Sequence, residues 1–225
     1  MIFIVGLSLG WQTLIILGTM LNESKKKPAV IGLTGGIGSG KTTVSQVLES
    51  FGHPVFYADE AGHKAYLKDE VKNAVIEVFG QHVYGVDGLV NRKAIAESVF
   101  NDHDKLQSLN RIIHPAVKEM FSDWLNSWSK KELVFREAAI LFESGSHSDC
   151  AAVITVSAPE IVRIARVQQR DAASVDQVMA RLSKQMTDEE RRALADYEIV
   201  NDGESAVIPQ ITRILDTLTS QFGGR

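Results

Sequence analysis

One cysteine, Cys150, is all that 225 residues contain, so no internal disulfide can form and no thiolate cluster can hold a metal. That scarcity fits a reducing compartment, and a cytoplasmic location is the expectation. Positive charge is also short: 24 Lys and Arg face 28 Asp and Glu, for a formal net charge of −4. Such a chain lacks the basic stripe that broad nucleic-acid binding requires, and no nucleic-acid partner is expected. Internal repeats and low-complexity tracts are absent as well. What remains, with 44% hydrophobic and 23% charged residues, has enough apolar surface for an ordinary core. The length suits one compact domain with insertions, or two small ones.

Charge is missing altogether from Met1 to Leu21, a run long enough to span a bilayer. Lys25, Lys26 and Lys27 follow it, which would leave the body of the chain cytoplasmic. A cleaved signal peptide fits badly, because the charges follow the apolar run instead of preceding it. Gly6, Gly10, Gln12 and Thr13 weaken the span, and the favoured reading is that translation begins at Met20. Residues 1–27 are therefore set aside as an apolar extension. A membrane partner is expected only if that segment is a real part of the protein.

The chain is organised around Ile31-Gly32-Leu33-Thr34-Gly35-Gly36-Ile37-Gly38-Ser39-Gly40-Lys41-Thr42-Thr43. Gly35 to Thr42 fits G-x-x-x-x-G-K-[ST], the phosphate-binding loop between a strand and a helix. Glycines let the backbone turn tightly, so that amides from Gly36, Gly38, Ser39, Gly40, Lys41, Thr42 and Thr43 can converge on phosphate oxygens. Lys41 can reach the terminal phosphates, and the Thr42 hydroxyl can ligate Mg²⁺. The flanks agree: Ala29 to Leu33 reads as a buried strand, and Val44, Val47, Leu48 and Phe51 recur at helical spacing. A dinucleotide fingerprint fails, because it would need glycine where Lys41 stands. Binding of a nucleoside triphosphate follows.

Further along, Gly52 reads as the cap of the loop's helix, with Pro54 barring its continuation. Val55-Phe56-Tyr57 is a second strand, closing at Ala58-Asp59, and the unit has the length of one right-handed crossover. Ligands bind beyond the carboxyl ends of parallel strands, which puts Asp59 on the same rim as Lys41. Residues 60–130 read as largely helical, with a turn at Asp87-Gly88 and a helix interrupted or restarted at His114-Pro115. Leu133-Val134-Phe135, Ala151 to Val156 and Tyr197 to Val200 are three more strands, and a last helix runs from about Ile208 to Leu218. Strands alternating with helices give an α/β layered fold. Ser157-x-x-Glu160, Ser174-x-x-Gln177 and Thr187-x-x-Glu190 read as three helix starts. In the first of those helices Arg163, Arg166 and Arg170 share one face. They form either a solvated face partly paired with Asp171, Asp176, Asp188 and Glu189, or a lid that closes on phosphates.

From about Val30 to Leu218 the chain resembles the dephospho-coenzyme A kinase family. The phosphate-loop signature, Ala58-Asp59, Asp87-Gly88 with Arg92, and Leu109-Asn-Arg-Ile-Ile-His-Pro115 carry the resemblance, followed by Ile140-Leu-Phe-Glu143, Gln169-Arg-Asp171 and Asp196-Tyr-Glu-Ile-Val-Asn-Asp-Gly203. It implies a three-layer P-loop kinase core of about five parallel strands (28–59, 131–156 and 195–225), a helical acceptor domain (60–130) and a helical lid (157–194). It also implies ATP and Mg²⁺ as cofactors, dephospho-CoA as the partner, and CoA as the product of the final step of its synthesis. Asp59 resembles the family's proposed base for the ribose 3′-hydroxyl, and its plain alternative is a helix cap. Lys41 orients the triphosphate, and Arg170 reaches the transferring phosphate like an arginine finger supplied in cis. Asn201 and Gly203 line an adenine pocket or form a simple turn. Arg92 and His114 are acceptor-binding candidates, against a surface salt bridge and a packed histidine. Glu143 either holds a Mg²⁺-linked water or caps a helix. Two positions depart from the family pattern: Tyr57 stands where an aspartate is common, and Ala139 where proline is. The alternatives are another small-molecule or nucleoside monophosphate kinase of the same core, or a P-loop NTPase switch. Asp59-Glu60-Ala61-Gly62 fits the D-x-x-G of a switch, but no Asn-Lys-x-Asp accompanies it.

Overall fold

A computed structural model of the chain describes residues 27–100 and 102–223. The apolar extension, apart from Lys27, and the start at Met20 lie outside the described residues. Strand β1 (Ala29–Thr34) leads through the glycine loop into α1 (Lys41–Ser50), and β2 (Val55–Tyr57) follows. Next come α2 (Ala58–Ala65), α3 (Asp69–Phe79), a 3₁₀ turn at Gln81–Val83, α4 (Arg92–Val99) and α5 (His103–Ser127). Then β3 (Leu133–Glu137) and β4 (Ala152–Ser157) precede α6 (Glu160–Asp171), α7 (Val175–Leu182) and α8 (Asp188–Leu194). Strand β5 (Tyr197–Val200) and α9 (Val207–Phe222) close the fold.

The five strands form one sheet in the order β2-β3-β1-β4-β5, and every pairing is parallel. Both faces are therefore covered, and the strands read as nearly continuous apolar runs. Alternation sorts their side chains. Ile31, Leu33, Leu133 and Phe135 pack with Val44 and Leu48 of α1 and with Ile211 and Leu218 of α9. Val30, Val134 and Phe56 point the other way, onto Phe121 of α5. Phe135 is fully buried in the first of these layers. Truncating a buried phenylalanine to alanine costs ~3–5 kcal/mol, a large part of a domain's stability.

The helical segment between β2 and β3 has its own core, built on Val71, Val75 and Phe79 of α3 with Ile95 of α4 and Leu109 and Ala116 of α5. The segment after β4 has another, where Val167, Ala173 and Val178 pack with Ile164, Leu182 and the loop residue Ile37.

Several expected boundaries hold. Helix α1 ends as Gly52 N donates to Glu49 O at 2.9 Å and His53 N to Leu48 O at 3.0 Å, the paired bonds of a Schellman end. At the Asp87-Gly88 turn, Asp87 Oδ1 accepts from Leu89 N at 3.0 Å. Ser174 and Thr187 each form a complete capping box.

Two expectations fail. The helix is not broken at His114-Pro115, since α5 runs unbroken through Pro115. The missing proline N–H costs the bond to the Arg111 carbonyl. Pro115 and Arg111 both lie on the exposed side, while Leu109, Ala116 and Phe121 hold the opposite side in the core. Ser157 does not cap α6 either. It is the last residue of β4, its hydroxyl donates to Glu198 on β5, and the cap position is Pro159.

Candidate active site

The site is built where the strands end. Leu33 of β1 lies opposite Glu137 of β3, and Glu137 lies opposite Tyr57 of β2, so three carboxyl ends share a rim. Beyond β1 the glycine loop bends back under α1. Gly40 stands at the helix N-cap with φ 97°, a left-handed value that favours glycine, and any Cβ there would overlap the Asn201 side-chain amide. At Gly38, φ is 78° and a Cβ would strike the backbone of Arg163.

The loop is held from outside by the arginine-bearing helix. Arg163 Nε donates to Ile37 O at 3.0 Å, and Arg166 Nη1 donates to Asn201 O at 3.0 Å. Asn201 Nδ2 in turn donates to Ser39 O at 2.8 Å. Arg163 and Arg191 share one oxygen of Asp188, at 3.1 and 2.8 Å. The cationic face is thus neither a solvated surface nor wholly free for phosphate, because two of its three arginines brace the loop. The third, Arg170, is exposed and holds Asp171 at 2.7 Å.

A cavity of about 600 Å³ opens between loop and lid, walled by Gly36, Gly38, Gly40, Lys41, Thr42, Asp59 and Arg170. The sequence named these residues from separate motifs, and the fold sets them on one wall. Tyr57 and Glu137 share the wall. Lys41 Nζ donates to Gly35 O at 2.8 Å. Burial pulls its pKa below the ordinary lysine value, while Glu137 and Asp59 push it back up. Glu137 is pushed up to about 7, first by burial and then by Asp59 and Glu60, against the pull of Lys41. Its signal in the sequence was the polar pair Arg136-Glu137 ending an apolar strand. The Tyr57 phenol donates to Glu49 Oε2 at 3.0 Å and is pushed up to about 12, chiefly by burial.

Asp59 lies in the first turn of α2, whose cap position is Tyr57 and has no side-chain bond, so Asp59 is not the cap. The whole D-x-x-G stretch lies inside that helix. Asp59 also borders a second cavity, of about 590 Å³, walled by His114, Lys118, Arg136 and the apolar Leu109 and Ile113. Arg92 borders neither cavity. It opens α4, where its charge acts on the Tyr66 phenol. Gly203 sits exposed beyond β5, at φ 96°. Glu143 neither caps a helix nor faces the phosphate cavity: its carboxylate accepts from Met186 N at 3.3 Å, tying the rim to the lid.

Among the described residues no helix is long and apolar enough to cross a membrane. The dephospho-CoA kinase family model matches residues 29–206. A dephospho-CoA kinase of Bacteroides fragilis is 39% identical over 186 residues, covering 82% of this chain and 90% of that one. One from Salinibacter ruber is 42% identical over 176 residues, 77% of this chain and 88% of the relative. A crystal structure from Thermus thermophilus superposes with a TM-score of 0.77 at 33% identity, over 88% of this chain and 100% of that one. With the family model spanning most of the chain and relatives this similar over most of their length, the chain belongs to the dephospho-CoA kinase family.

Proposed function

We propose that the protein transfers the γ-phosphoryl group of ATP to the ribose 3′-hydroxyl of dephospho-CoA, giving ADP and CoA, the final step of CoA biosynthesis. The observation that carries this reading is the position of Asp59, which borders both the phosphate-loop cavity and the cavity under α5. A nucleotide in the first cavity and an acceptor hydroxyl in the second would meet at that carboxylate.

Phosphoryl transfer leaves the protein little covalent work, so positioning and charge stabilisation dominate. The loop amides from Gly36 to Thr43 and the Lys41 ammonium hold the triphosphate in line. Asp59 accepts the proton as the 3′-oxygen bonds to the γ-phosphorus and the bond to the β–γ bridging oxygen breaks. Arg170 leaves Asp171 to meet the transferring phosphate. The Asn201–Gly203 loop, beside Gly40 and Arg166, borders the adenine.

The donor set fits Mg²⁺. Thr42, Asp59 and Glu137 offer hard oxygen atoms on one wall, and a nucleotide-bound magnesium needs only one or two protein oxygens besides phosphate and water. Mg²⁺ bound there would be held by the Thr42 hydroxyl with a neighbouring carboxylate and would supply positive charge to offset that of the triphosphate. Residues 28–59, 131–156 and 195–225 act as the core, 60–130 as the acceptor domain, with His114 on the cavity wall and Arg92 nearby, and 157–194 as the lid.

The test is ADP release from protein beginning at Met20, with dephospho-CoA, AMP, CMP and gluconate in parallel. Turnover with dephospho-CoA alone is expected. Equal or faster release with any of the other three overturns the assignment.

A further inference from the structure

Residues 136 and 137 are neighbours on β3 but face opposite sides of the sheet. Glu137 enters the phosphate cavity; Arg136 enters the acceptor cavity, on the side where Phe121 packs. Arg136 is 8% exposed, and its Nε has no hydrogen-bond partner. Among the described residues its one ion-pair partner is Asp149, 3.9 Å away, on a side chain that is 56% exposed. The guanidinium carbon lies over the Phe121 ring, 4.9 Å from its centroid, a cation–π contact that holds the group against the cavity wall. A buried guanidinium left with so few acceptors carries a desolvation cost that the protein itself does not offset. An anion in the cavity would offset it. The other basic side chains on that wall, His63, His114 and Lys118, are exposed, so Arg136 is the buried one.

We propose that Arg136 is the anion anchor of the acceptor cavity, pairing with the diphosphate of dephospho-CoA and so fixing the distance from that group to the hydroxyl presented at Asp59. The assignment rests on the acceptor reading given above. A guanidinium fork matches two phosphate oxygens at once, which an ammonium cannot do, and the apolar wall of Leu109 and Ile113 takes the uncharged arms of the substrate. Asp149 would be the competitor that the diphosphate displaces.

Steady-state kinetics of the wild type and of Arg136→Met, Arg136→Lys and Asp149→Asn test this. Loss of a charge-assisted pair predicts a rise of about 10–100-fold in KM for dephospho-CoA in Arg136→Met, with KM for ATP unchanged. Lysine recovers part of the loss. Asp149→Asn lowers KM for dephospho-CoA by about twofold, the size of an exposed ion pair. An Arg136→Met protein that melts like the wild type and keeps its KM for dephospho-CoA overturns the proposal. If Arg136→Met does not fold, unchanged KM values in both other variants overturn it. A wild type inactive on dephospho-CoA overturns the functional reading instead. Arg136 is then decided by titrating inorganic pyrophosphate into protein saturated with a non-hydrolysable ATP analogue: equal affinity in wild type and the Arg136 variants defeats the anchor, and weakening in the variants sustains it.

Discussion

Gln185 accepts a hydrogen bond of 2.8 Å from the backbone amide of Ile37, although 148 residues separate them in the chain. The Ile37 carbonyl is held by Arg163, and its side chain packs with the lid core of Val167 and Val178. All three parts of one loop residue are thus fixed by the lid, so the loop is shaped before a nucleotide arrives. Gln185→Ala removes one neutral hydrogen bond, worth about 1 kcal/mol, and should weaken ATP binding about fivefold. Calorimetric titration with a non-hydrolysable analogue checks this; unchanged affinity would mean that the bond merely accompanies closure.

Asp59→Asn keeps the shape of the rim and removes the proton acceptor. Turnover is expected to fall by ~10²–10⁴, the usual worth of a positioned acid or base. Affinity for ATP should stay within a factor of two or so of the wild type. Full turnover in this variant takes Asp59 out of the base role and leaves Glu137 as the carboxylate to test.

Arg170 is bound by Asp171, whose own carboxyl is held down to about 2 by Arg170 and then Arg181. Arg170 grips Asp171 through two bonds, but its guanidinium lies at the surface, where the more highly charged phosphate competes for the same fork. Arg170→Ala should lower turnover by ~10³ or more and change the Michaelis constant for ATP far less. If only that constant rises, Arg170 binds the ground state and gives the transition state no extra help.

Glu137 makes stability depend on pH in a direction opposite to that of a salt-bridged acid. Its folded pKa of about 7 lies above the ordinary 4.5, so the folded chain binds that proton more tightly than the unfolded one. The stability it contributes is complete below about 4.5 and is lost as pH rises through about 7. Glu137→Gln cannot ionise and lacks this component. The difference in Tm between variant and wild type should therefore widen in the variant's favour across that window, in nucleotide-free protein. A constant difference would show that Glu137 ionises at its ordinary value.

The phosphate loop, the strands and the complete lid caps were legible because each rests on local chemistry: glycine conformation, apolar runs bounded by turns, a hydroxyl three residues before an acceptor. Strand β5 was read to the residue. What was missed depends on distant neighbours. Ser157-x-x-Glu160 has the spelling of a cap, yet β4 claims Ser157 through a partner on β5. The His114-Pro115 pair predicts a break that packing along α5 overrides. Arg136 and Glu137 lie just past the apolar run Leu133-Val134-Phe135 and drew no reading from the sequence; only the strand order, with β3 between β1 and β2, places them beside two cavities. Asn201 gave a loop position but not its bond to the Ser39 carbonyl.

Asp188 lines neither the phosphate cavity nor the acceptor cavity, yet one of its oxygens serves both Arg163 and Arg191. Without it, two buried guanidinium groups lose their shared counter-charge, Arg163 keeping its bond to the Ile37 carbonyl, and the strap that shapes the nucleotide cradle slackens with them. A mutational scan scored on catalytic output would rank this carboxylate beside Lys41. Scored on melting temperature, it would fall among the keystones of the scaffold, and comparing the two rankings separates architecture from chemistry.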